Sequence, residues 1–144
     1  MSHEDTGYYA TKHTSGTLLD SRIAELVQQH VVGGKITCAA AHQIASELQV
    51  APAEVGITLD LLEIRISQCQ LGLFGYGLQK RIVQPAAQVS PELRYAIEED
   101  QSEHGLSCFS AWELAKTFGV SRLESAAACE ALQVKIISCQ LGAF

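Results

Sequence analysis

The chain has 144 residues, 47% of them apolar and 18% charged, with a formal net charge of -6; this is the composition of a soluble globular protein and it argues against disorder outside the ends. Sixteen Asp and Glu against ten Lys and Arg disfavour a strong grip on nucleic acid, which draws most of its affinity from bases set against phosphates. No apolar run approaches the roughly 20 residues needed to cross a bilayer, and an odd count of five cysteines with no Cys-x-x-Cys spacing and no secretory leader predicts free thiols in a reducing cytoplasm.

Residues 1–17 include Tyr8, Tyr9, His3 and His13 but show no apolar period, and they read as a mobile N-terminal tail. Ile23, Leu26 and Val27 then give the apolar face of a first helix over 21–30, capped by Asp20 or Ser21. Thr37 caps a second helix over 38–48, with Ala41, Ile44, Ala45 and Leu48 at helical spacing. Pro52 opens a third, predicted over about 52–64, whose buried stripe is Val55, Leu59 and Leu62. The period then changes. Residues 65–74 carry β-branched and aromatic side chains in partial alternation and predict a strand, which Gly75-Tyr76-Gly77 turns back into 78–83 as a hairpin.

Gln84-Pro85-Ala86-Ala87-Gln88 has the composition of a linker, placed at 84–89. Beyond it the same order returns. Ser90 and Pro91 start a helix over 91–101, Ser107 caps one over 108–118, Gly119 supplies a left-handed turn, and a third helix is predicted over 122–134 with Ser125, Cys129 and Leu132 on its buried stripe.

The two halves are copies. Residues 38–74 align without a gap to 108–144, with twelve of 37 positions identical; such internal self-similarity marks a duplicated unit. The identities include Cys38/Cys108, Ala41/Ala111, Ala45/Ala115, Val50/Val120 and Leu62/Leu132, and they culminate in Cys69-Gln70-Leu71-Gly72 against Cys139-Gln140-Leu141-Gly142, followed by Phe74/Phe144. The expected architecture is therefore α+β and mostly helical: two tandem three-helix units at 18–83 and 90–144, with short strands, related by a pseudo-twofold. The second copy has no return strand of its own, so the two Cys-Gln-Leu-Gly-x-Phe strands are expected to lie together and cover each other's edge.

Ala115-Lys116-Thr117-Phe118-Gly119-Val120, and more faintly Ala45-Ser46-Glu47-Leu48-Gln49-Val50, followed by a third helix and a strand, resemble the winged helix-turn-helix family over about residues 20–83 and 90–144. The resemblance implies a DNA-binding, transcriptional-regulator-like protein whose third helix enters the major groove while a hairpin wing touches the backbone. The Cys-Gln-Leu-Gly-Leu-Phe-Gly segment is similar to one in small helix-turn-helix modules associated with molybdenum-cofactor and formate metabolism in anaerobes.

The residues weigh against simple DNA reading. The groove-facing side of the first third-helix would present Ala53, Glu54, Gly56, Ile57, Asp60 and Leu61, and that of the second Arg122, Leu123, Glu124, Ala127 and Glu130. A reading head normally offers Arg, Lys, Asn or Gln. The DNA-contact candidates are Arg65, Lys80, Arg81, Arg122 and Lys135, and any binding they support is expected to be weak and salt-sensitive. The alternative is a protein-interaction module that keeps the fold, with Ile57 and Leu61, off the buried stripe, as contact candidates; a homodimer is compatible with this. A third reading is a thiol or metal sensor built on the recurring cysteines. His42 lies one helical turn after Cys38, but Trp112 replaces it in the second copy, which counts against a duplicated metal site. The sequence has no P-loop, no Gly-x-Gly-x-x-Gly after a strand and no Gly-x-Ser-x-Gly, so no catalytic residue, resident metal or cofactor is expected.

Overall fold

A computed structural model describes Ala10, His13 and residues 18–144; the expectation of a mobile tail falls mostly on residues outside this set. The described chain is mixed α+β and mostly helical. In the first copy, α1 (Ser21–His30), β1 (Lys35–Thr37), α2 (Cys38–Leu48), α3 (Pro52–Leu61) and β2 (Arg65–Ser67) follow in order. The second copy repeats them as α4 (Pro91–Asp100), β3 (Leu106–Ser107), α5 (Cys108–Phe118), α6 (Arg122–Ala131) and β4 (Ile136–Ser138).

Helix starts follow local chemistry. Asp20 accepts from the backbone N–H groups of Arg22 and Ile23, Thr37 from Ala40, Ser90 from Leu93 and Ser107 from Ser110, each satisfying donors that the first helical turn leaves open. Ser121 and Glu124 form a reciprocal capping box on α6. Its counterpart α3 begins at Pro52 after Ala51, which has no side chain able to cap. The third helices end earlier than their apolar period predicts, because Glu63 and Gln133 take left-handed φ values of 55° and 59°.

The strands differ from expectation in partner and in length. β1 pairs with β2 in parallel, Lys35 opposite Arg65 and Thr37 opposite Ser67, and β3 pairs with β4 in parallel, with an irregularity between Leu106 and Ser107. Parallel pairing needs a long crossover, and α2–α3 and α5–α6 supply it. The predicted strand over 65–74 is only three residues long, since Gln68 turns out of the extended region at φ 50°. Residues 78–83 form no return strand, and Gly77–Gln79 is a single 3-10 turn. The hairpin wing is thus absent, and the Cys-Gln-Leu-Gly segments are turns instead of paired strands.

Two compact units divide the chain, and neither coincides with one sequence copy. The first contains the chain through Cys69 together with Gln140–Phe144; the second contains Gln70–Cys139. Each three-helix core is therefore joined by the Gln-Leu-Gly segment that follows the other copy. In the first unit Ile23, Val27, Ile36, Ala41, Ile44, Val55, Leu59 and Leu141 are at most 2% exposed. The second unit is built the same way around Ile97, Leu106, Ala111, Ala126, Ala128, Cys129 and Leu71. Ser125 stands where the first copy has Val55, and its hydroxyl donates to the Ala111 carbonyl at 2.8 Å, so the buried polar atom is satisfied.

Candidate functional site: the third helices and their covering segments

In the first unit, α3 carries Val55 and Leu59 toward α1 and α2, with both side chains fully buried. Its adjoining face, the one expected to enter a DNA groove, is covered at Gly56 and Asp60, while Ala53 and Glu54 stay exposed. A Cβ built on Gly56 would lie 1.8 Å from the backbone oxygen of Leu141 and 2.7 Å from its carbonyl carbon. Only glycine permits this approach of main chain to helix, and the 140–144 segment sits directly on it. One turn further, Asp60 is 7% exposed, and its Oδ2 lies 2.8 Å from Nε2 of His13. The backbone N–H of Ala10 donates to Glu63 Oε1 at 2.9 Å. Ala10 and His13, ahead of α1, thus meet the end of α3 and the residues just after it, and Leu141, after β4, lies against Gly56.

The second unit repeats the arrangement with different side chains. Ala126 replaces Gly56 and is 1% exposed. Gly72, at φ 74°, faces Leu123: a Cβ there would lie 2.6 Å from Leu123 Cδ1 and 3.1 Å from the backbone nitrogen of Val83. Its carbonyl accepts from Ile82 and Val83 at 2.9 and 3.1 Å, which folds 72–83 into a loop. Ala86 N–H donates to the Ala127 carbonyl at 3.0 Å. Glu130, the counterpart of Asp60, is ion-paired with Arg81. In both units, then, the carboxylate on the third helix receives a basic side chain from the stretch ahead of that copy's first helix. This correspondence lies outside the region where the copies share sequence identity, and side-chain matching alone does not reveal it.

Two of the DNA-contact candidates are engaged within the second unit. Arg81 is engaged by Glu130. The Arg122 guanidinium stacks over the Trp112 ring, 3.5 Å from its centroid, and also donates to Gln70 Oε1 at 3.3 Å; stacking of this kind holds the cation against the protein. Arg65, Lys80 and Lys135 are exposed, Arg65 in the first unit and the other two in the second. Ile57 and Leu61, the interaction candidates, are half-buried on α3.

Cysteine is concentrated at one end of each parallel ribbon. Cys38 and Cys69 are buried in the first unit; Cys108 is buried and Cys139 half-buried in the second. The remaining cysteine, Cys129, is 1% exposed in the α6 core, and burial pushes its thiol up to about 11, with the neighbouring Glu130 carboxylate adding to the effect. Among the described residues no group of three or more His, Cys, Asp and Glu side chains is placed to hold a metal ion, and no helix is long and apolar enough to cross a membrane.

Comparison with protein-family models, with characterised proteins and with solved structures gives no match. The resemblance to winged helix-turn-helix proteins therefore rests on the short motifs alone.

Proposed function

We propose that this chain is a protein-interaction module that keeps a helix-turn-helix scaffold and does not read DNA. The observation that carries this reading is the cover on the third helices. The backbone of Leu141 occupies the groove-facing side of α3 at Gly56, and residues 70–86 lie against α6 through Gly72, Arg81 and Ala86. A recognition helix needs that face for base edges. The charge balance supports the same reading, since an acidic chain carries an unfavourable electrostatic term at a phosphate backbone. Exposed apolar side chains remain available for a partner, among them Leu78 on the loop and Tyr95 and Phe109 on α4 and α5.

Fluorescence anisotropy of a nonspecific duplex titrated with the full chain at low and moderate salt decides between the readings. No saturable binding at low salt is expected. Saturable binding that weakens in Arg65→Ala, Lys80→Ala and Lys135→Ala would restore the DNA-binding, regulator-like reading in its weak, salt-sensitive form. For the interaction itself, cross-linking mass spectrometry in cell extract is expected to place a recurrent partner on the exposed apolar residues, and Leu78→Asp to reduce its yield. Because Leu78 is fully exposed, that substitution leaves packing intact.

A further inference from the structure

Both units bring two thiols to the same end of a two-stranded parallel ribbon. In the first, Thr37 and Ser67 are register partners; Cys38, the first residue of α2, follows one strand, and Cys69 lies two residues past the other, after Gln68. In the second, Ser107 and Ser138 are partners, and Cys108 and Cys139 are the very next residues. Adjacent strands run about 4.8 Å apart, and disulfides bridge Cα atoms roughly 4.4–6.8 Å apart. The thiols of each pair thus lie one or two residues beyond strand partners at that spacing, with the turn at Gln68 intervening before Cys69.

The two copies also distinguish these thiols from packing cysteines. Cys38/Cys108 and Cys69/Cys139 are retained through a divergence that left twelve of 37 positions identical. Cys129, by contrast, has Leu59 as its counterpart, which is how a cysteine acting as a small hydrophobe is exchanged. The paired positions also coincide with the unit boundaries, since the first unit's leading stretch ends at Cys69 and the second unit ends at Cys139.

We propose that Cys38–Cys69 and Cys108–Cys139 are two dithiol pairs that close reversibly to disulfides by exchange with a small-molecule disulfide such as glutathione disulfide. One thiol of a pair, as thiolate, attacks a sulfur of the oxidant and releases one molecule of glutathione. The second thiolate attacks the protein sulfur of the mixed disulfide and releases the other, so two protein thiols are oxidised and one disulfide is reduced. Closure pins the start of α2 or α5 to the point where the chain passes from one compact unit to the other. The half-buried Cys139 is the entry point, so the second unit closes first. The proposal is independent of whether the partner of the chain is a protein or DNA.

The test is a peptide map of the full, unaltered chain after incubation with glutathione disulfide, with thiols alkylated under denaturing conditions. Expected are linked peptides joining Cys108 to Cys139 and then Cys38 to Cys69, the intact mass falling by two hydrogens per bridge, Cys129 alkylated throughout, and full reversal by dithiothreitol. Cys108→Ser is expected to hold a glutathione adduct on Cys139 that the unaltered chain resolves. All thiols remaining alkylatable under conditions that oxidise dithiothreitol, bridges joining other pairs, or bridges only between molecules would each overturn the proposal. The map of the unaltered chain decides the question even if the variant fails to fold.

Discussion

At the scale of single residues, the second copy shows how a position changes its chemistry while keeping its place. Leu59 becomes Cys129, and both are buried in the core of their unit. Val55 becomes Ser125, which is tolerated because the Ala111 carbonyl accepts its hydroxyl. Cys129 has a measurable signature. Its thiol loses its proton at an ordinary value of 9.0 in an exposed setting but at about 11 in the folded protein. The folded state therefore binds the proton more tightly than the unfolded state. The associated stability is fully present below pH 9 and is lost as the pH rises toward 11. Denaturation midpoints are expected to fall more steeply over that interval in the natural chain than in Cys129→Ala, after allowance for the other titrating groups, which both proteins share. Equal slopes would contradict the assignment.

At the scale of elements, helix boundaries follow caps and left-handed residues more closely than apolar period. The second helix of each copy ends on a left-handed residue, Gln49 at φ 57° in one and Gly119 at φ 67° in the other. In each case the amide of the residue after it, Val50 or Val120, bonds back to the carbonyl of Ala45 or Ala115, closing the helix in the same way. Glutamine bears a Cβ penalty in that conformation which glycine does not. Gln49→Gly is expected to stabilise the chain by about 1 kcal/mol, and Gly119→Ala to destabilise it by a similar amount. Chemical denaturation of the two variants checks both signs. The strands are shorter than their β-branched residues suggest, because Gln68 leaves the extended region immediately after Ser67. That turn replaces the wing hairpin and frees the following segment to pack on a third helix.

At the scale of the whole chain, duplication has produced two units whose compositions interleave along the sequence. Gln140–Phe144 belongs with the helices of the first copy, and Gln70 onward with those of the second. The close approach of Leu141 to Gly56 makes this arrangement testable, because any side chain at Gly56 meets backbone. Gly56→Val is expected to cost about 1–3 kcal/mol as an overpacked site and to raise hydrogen exchange in 140–144. A variant with unchanged stability and an equally protected 140–144 segment would show that the segment does not seat on α3.

The sequence by itself determined the duplication, the order of the three helices in each copy with the caps at Asp20, Thr37, Ser90 and Ser107, the mixed and mostly helical class, and the poverty of bases on the third helices. These features depend on residue type, period and partners a few positions apart, such as Asp20 with Ile23 or Thr37 with Ala40. It also showed Cys38/Cys108 and Cys69/Cys139 to be fixed points, though not that each pair lies at one end of a ribbon. The tertiary structure decided the parallel pairing of β1 with β2 and β3 with β4, the absence of a wing, and the unit to which each Cys-Gln-Leu-Gly continuation belongs. Those outcomes turn on contacts between residues far apart in the chain, Gly56 with Leu141 and Leu123 with Gly72. A repeated motif states that its leucine must be buried; it carries no information about which of two similar helices will bury it.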